Sequence, residues 1–162
     1  MASGNTLLTF DPRSASFPAA NYATHDERNS HPVLDFDPTT QETAFFEGIL
    51  PRHYAGGGIT VYVHWAASTD ITGTVGWDVA IERIGSVQDL DVDSFATAQV
   101  VTAATVSGTA GIVTSTNVAI TNGANMDSLA VGEKFRLQLR RDVATDTAAG
   151  DAELIGIEIK ET

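Results

Sequence analysis

The chain has 162 residues, 43% hydrophobic and 19% charged, with 21 acidic groups against 9 Lys plus Arg and a formal net charge of −12. That length suits one domain of ~100–200 residues with a core of its own. The lack of cysteine excludes disulfides, thiolate metal sites and a thiol nucleophile, and the acidic balance argues against nucleic-acid binding, which needs a basic face. The start, Met1 to Thr6, has neither a basic nor an apolar signal region, and no apolar run approaches the ~18 residues that span a bilayer. A protein made and used without export is expected.

Proline divides the sequence. Pro12, Pro18, Pro32, Pro38 and Pro51 all precede residue 52, and proline cannot donate to a sheet ladder. Residues 1–32 therefore read as an extended N-terminal arm. Leu7, Leu8, Phe10, Phe17 and Tyr22 recur along it, too many for a disordered tail, so the arm is expected to lie on a surface, its own domain's or a neighbour's. From residue 33 to 162 the apolar period is two, the signature of half-buried antiparallel strands. Short strands are expected at 33–37 and 43–50. The run 59–66 places Ile59, Val61, Val63 and Trp65 on one face and Thr60, Tyr62 and His64 on the other. Further strands are expected at 74–84, 97–106, 112–121, 134–141 and 152–160, the last with Ile155, Ile157 and Ile159 on one face. Between them stand turn sequences such as Gly56-Gly57-Gly58, Asn122-Gly123 and Ala149-Gly150-Asp151. Only 125–131 has the composition of a helical turn. The 20 Thr, 14 Val and 10 Ile agree with an all-β chain. The expected fold is an antiparallel two-sheet β-sandwich, a jelly roll of about eight strands.

Few residues announce chemistry. Asp89, Asp91 and Asp93 share the alternate spacing of a calcium loop, but Ser94 replaces its turn glycine and Val100 its bidentate Glu, so an acidic surface loop is the simpler reading. His25, His31, His53 and His64 form no i, i+4 pair of a zinc protease. No Gly-x-Ser-x-Gly elbow is present, and Gly56-Gly57-Gly58 precedes a strand rather than the helix of a phosphate cradle. Glu82 and Glu153 are the stray carboxylates that a glycosidase pair would need, and any acidic β-protein supplies such pairs by chance. Lys134, Arg136, Arg140 and Arg141 hold four of the nine basic groups, and alternation sets the first three on one face. They read most simply as cross-strand partners of Asp and Glu, and more sharply as a contact for an acidic partner. Trp65 and Trp77 fall on core faces, whereas Tyr54, Tyr62 and His64 are candidates for an exposed binding patch. No catalytic, cofactor-binding or metal-binding residue is assigned.

The blocks Phe46-Glu47-Gly48-Ile49-Leu50-Pro51, Tyr54-Ala55-Gly56-Gly57-Gly58-Ile59-Thr60-Val61, Trp77-Asp78-Val79-Ala80-Ile81-Glu82-Arg83-Ile84 and Ala148-Ala149-Gly150-Asp151-Ala152-Glu153-Leu154 resemble those of small tailed-bacteriophage virion structural proteins. The likeness covers most of 33–162 and reaches Thr9-Phe10-Asp11-Pro12. It implies a non-enzymatic role without cofactors, as a capsid decoration or cement protein on the outer capsid surface of the virion, made in the host cytoplasm. Its implied partners are the major capsid protein and its own copies, as a homotrimer, with neither nucleic acid nor membrane involved. The arm would clamp the lattice, so deleting 1–32 is expected to abolish particle binding and leave the body folded. The alternative is a carbohydrate-binding or receptor-recognition module of a phage tail or fibre, raised by Tyr54, Tyr62 and the jelly-roll class. A glycan-cleaving enzyme rests on the stray carboxylates alone.

Overall fold

A computed structural model describes residues 4–162, and Met1 to Ser3, the start of the expected arm, lie outside the described residues. Two antiparallel sheets face each other. The first orders β2 (Thr24–Arg28), β3 (His31–Phe36), β10 (Ala152–Glu161), β5 (Ile59–Ala67) and β8 (Thr114–Ile120), with β1 (Thr6–Phe10) also paired to β10. The second orders β4 (Thr43–Ile49), β9 (Lys134–Arg141), β6 (Thr74–Ile84) and β7 (Gln99–Thr105). The fold is the all-β sandwich that the alternation predicts, with ten strands among the described residues where about eight were expected. The helical turn expected at 125–131 is a single 3-10 turn, Ala124–Met126, followed by Asp127 and Ser128 in the left-handed region.

The inward sides of the strands make one continuous core. Trp65 of β5 and Trp77 of β6 are fully buried and meet across the sheets, with ring centres 6.5 Å apart, and Phe36 of β3 stands edge-on to Trp77 at 4.9 Å. Such pairs add ~0.5–1.5 kcal/mol each beyond their buried area.

The two extra strands come from the proline-bearing segment. β1 runs antiparallel along the second half of β10, with Phe10 opposite Ile157. β2 pairs with β3 through the two-residue loop Asn29-Ser30, both at positive φ as a type I′ hairpin demands. Leu7, Phe10 and Ala23 are buried in the common core, and the rings of Phe10 and Phe46 lie 5.6 Å apart. Pro12 opens a one-turn 3-10 helix and Pro18 lies in the connection to β2, whereas Pro32 is the second residue of β3, opposite Glu27 just after the hairpin turn. Of the apolar residues expected to grip a surface, Leu7 and Phe10 are buried in the protein's own sandwich, Leu8 and Phe17 pack against it, and Tyr22 stays exposed.

The ladder of β10 is irregular at one point. A bulge lies between Leu154 and Gly156, where the sheet forks: β3 pairs with 152–154 and β1 with the residues from Ile157 onward. The extra residue reverses the alternation. Leu154, Ile157 and Ile159 point into the core, and Ile155, expected on their face, turns outward and is half-buried.

Candidate functional site

The outer face of the four-stranded sheet is filled by its own side chains. Arg136 bonds Glu82 at 2.6 Å, Arg140 bonds Asp78 at 2.8 Å, and Lys134 meets Glu47 at 2.6 Å. These pairs lie across or diagonal to one another on β4, β9 and β6. The segment 85–98 folds over them, and Phe95 stacks on Phe45 with ring centres 5.5 Å apart. The Arg136 guanidinium sits 4.6 and 4.9 Å from the two ring centres. The basic stripe is therefore the set of cross-strand charge partners. Arg141, next in sequence, points inward and is fully buried against Asp146 at 2.6 Å and the carbonyls of Phe36, Ala148 and Gly150.

The outer face of the six-stranded sheet is different. Along β5, Thr60, Tyr62 and His64 point outward, opposite Ala119, Asn117 and Ser115 of β8 and Lys160, Glu158 and Gly156 of β10. Successive outward residues lie ~7 Å apart at the usual strand rise. No hydrogen bond or ring contact among the described residues engages the Tyr62 ring or hydroxyl, the His64 imidazole or the Asn117 amide. Beyond His64 the track ends in a groove of about 330 Å³. Its walls are Arg28, Asn29 and His31 of the β2–β3 hairpin and Val113 just before β8, with Val33 and Ile155 between them. The bulge of β10 adds Ile155 to the apolar lining that Val33 and Val113 provide. Gly111 brings the opposite loop in: it is at φ +81, its N–H donates to the Ala67 carbonyl, and a Cβ there would stand 2.9 Å from the Arg28 guanidinium. Arg28 is anchored by Nε to Glu153 at 2.5 Å and by Nη2 to the Ser68 carbonyl.

Of the expected patch, Tyr62 and His64 share this face and Tyr54 does not. Tyr54 is buried at the end of the sandwich, where its hydroxyl accepts from the Gly58 N–H at 2.7 Å and lies 3.7 Å from Met126 Sδ. Burial pushes its pKa up. Gly58 is there for close approach, since a Cβ at its φ of +103 would meet the Ile120 carbonyl at 2.7 Å. The Asp89, Asp91 and Asp93 carboxylates are not gathered on a common point: Asp89 accepts the Asp91 N–H, and Asp93 accepts from the Gln88 amide and the Ser94 N–H. No group of metal-ligating side chains occurs among the described residues. Glu82 and Glu153 project from opposite outer faces, each onto its own arginine, and cannot flank one bond. His25 lies edge-on to Phe17 at 5.4 Å, His53 is an exposed loop residue, and His31 lines the groove. The groove residues escape sequence reading because 28–33 looks like the end of an arm and Ile155 looks like core. Arg141 carries a signal: it shares the parity of Phe135, Leu137 and Leu139, so its burial is legible.

No protein-family model matches the chain, and no curated protein matches it in sequence. Solved structures do match in fold. A xylan-binding CBM22-2 domain from Paenibacillus barcinonensis is 12% identical, with a TM-score of 0.54 over 96% of this chain and 99% of its own. The carbohydrate-binding module CBM6cm-2 of Cellvibrio mixtus lichenase 5A, in complex with cellotriose, is 10% identical, with a TM-score of 0.54 over 98% and 99%. The Clostridium thermocellum endo-1,4-β-D-xylanase 10B CBM22-1–GH10 modules, complexed with xylohexaose, are 13% identical, with a TM-score of 0.51, and the match spans 99% of this chain but only 28% of that one. Identities this low establish a shared fold, the β-sandwich of carbohydrate-binding modules, and none of these three is a virion protein.

Proposed function

We propose that the chain is a carbohydrate-binding module that receives a glycan along the outer face of β5, β8 and β10. One observation carries this reading: a sheet face presents an aromatic ring, an imidazole and an amide with no intramolecular partner and runs into an apolar-floored groove. Tyr62 offers a ring face to the C–H side of a sugar and a hydroxyl at its tip. His64 and Asn117 supply both donors and acceptors, which match the two-way hydrogen bonding of sugar hydroxyls. A concave, partly apolar surface with a few convergent polar groups is the usual form of a small-ligand site. The fold's kinship with modules described as xylan-binding, or held with cellotriose, supports the same ligand class here. No covalent step is assigned.

Electrophoresis of the full chain through native gels containing soluble xylan, mixed-linkage β-glucan or dextran tests the proposal. Retardation is expected in at least one gel, with Tyr62→Ala weakening it about tenfold, equivalent to ~1.4 kcal/mol. Migration unaffected by every polysaccharide, or equal retardation of wild type and Tyr62→Ala, contradicts it. The virion setting enters through the sequence resemblance alone. There the module would engage a host-surface glycan rather than the capsid lattice, because Leu7, Phe10 and Ala23 are already buried in its own core.

A further inference from the structure

Behind the groove wall, carboxylates from three adjacent strands meet. Thr24 and Glu153 both lie opposite Asp35, and Asp26 lies opposite Val33, so Asp26 of β2, Asp35 of β3 and Glu153 of β10 share the outer face. Asp151 stands just before β10 and adds a fourth negative group. Arg28 is the cation that faces them, and its Nε is already held by Glu153. β5 sets the uncharged Ala66 opposite Glu153, with His64 the next outward residue along it, opposite Gly156. His25 and His31 lie on the same hairpin. Asp35 has one carboxylate oxygen, Oδ1, buried without a hydrogen-bond partner, and the Asp26 carboxyl is within hydrogen-bonding reach of the side chain. A buried carboxylate oxygen without a partner, flanked by two neighbouring carboxylates on the same face, is best accommodated with the Asp35 carboxyl protonated.

We infer that the Asp35 carboxyl, set against Asp26 across the β2–β3 ladder, is a pH-dependent latch on the groove: its proton holds the β2–β3 hairpin in place, and the loss of that proton loosens the wall. β2 is an edge strand, the class of element with least protection against local opening. Burial first, then Asp26, Glu153 and Asp151, raise Asp35 to about 7. A carboxyl raised in the folded state stabilises the fold below its unfolded pKa of ~4, and that contribution is lost as pH rises through the folded value. The latch therefore opens as the medium passes from acid to mildly alkaline. Its effect on ligand rests on the glycan reading; its effect on the hairpin does not.

Amide exchange of the full chain, expressed as protection factors at about pH 5.5 and about pH 8.5, tests the latch, alongside gel retardation by soluble xylan and mixed-linkage β-glucan at both values. In wild type, protection of β2 is expected to fall about tenfold over this range, and glycan affinity several-fold. In Asp35→Asn, whose amide still donates to Asp26, both stay level. Unchanged protection in wild type overturns the latch, as does a fall that persists in Asp35→Asn, the pattern that His25 or His31 would give. A latch response without glycan retardation at either pH overturns the glycan reading and leaves the latch intact. Asp26→Asn, on the exposed strand, removes the same pair and provides the readout if Asp35→Asn does not fold.

Discussion

Arg141 shows how much one side chain can hold. It is fully buried, with its guanidinium shared among the Asp146 carboxylate and three backbone carbonyls, so it fastens the turn 142–150 to the end of β3. Removing one partner of a buried pair leaves the other uncompensated, which costs ~3–5 kcal/mol. Arg141→Ala should lose that much in urea denaturation, or fail to accumulate as folded protein. Lys134 pairs with Glu47 where both side chains are nearly half exposed, 49% and 46%, and Lys134→Ala should cost less than ~1 kcal/mol. Equal losses in the two variants would contradict the assignment of burial as the difference. Tyr54→Phe strands the Gly58 N–H and should destabilise by ~1–3 kcal/mol while leaving glycan retardation unchanged, which separates the structural tyrosine from Tyr62.

At the scale of elements, the period of two makes the strands from 33 onward legible almost to their ends, because each buries one face against the opposing sheet. What it cannot convey is the bulge in β10, since a single extra residue exchanges the faces without altering composition. Ile155 is the consequence: replacing it with Asp should weaken glycan binding at least several-fold with little change in urea midpoint, because it is half-buried in the groove rather than in the core. An unfolded Ile155→Asp variant would place it in the core after all. The segment 4–32 departs from the expected arm for a different reason. Prolines exclude continuous ladder strands but not short ones beside a turn, and the type I′ turn at Asn29-Ser30 carries no glycine to mark it as a hairpin. A chain beginning at residue 33 loses Leu7, Phe10 and Ala23 from the core and bares the edge of β10. Expected from sequence to be a folded body, it should instead unfold or aggregate, which circular dichroism and sedimentation would show.

For the molecule as a whole, the sandwich has two outer surfaces of opposite character. One is closed by arginine–carboxylate pairs, Phe95 and the segment over it; the other is open, polar along β5 and apolar where the hairpin, the 107–113 loop and the bulge meet. Half of that open site, Tyr62 and His64, is visible in the alternation of one strand. The other half is assembled from three places in the chain that only the fold brings together. The most direct measurement of the central claim is an amide NMR titration of the full chain with xylohexaose, cellotriose and an isomalto-oligosaccharide. At least one is expected to shift the resonances of Tyr62, His64, Asn117 and the 28–33 hairpin together. Shifts confined to the loops around Tyr54 and Gly123, or none with any of the three, would contradict it.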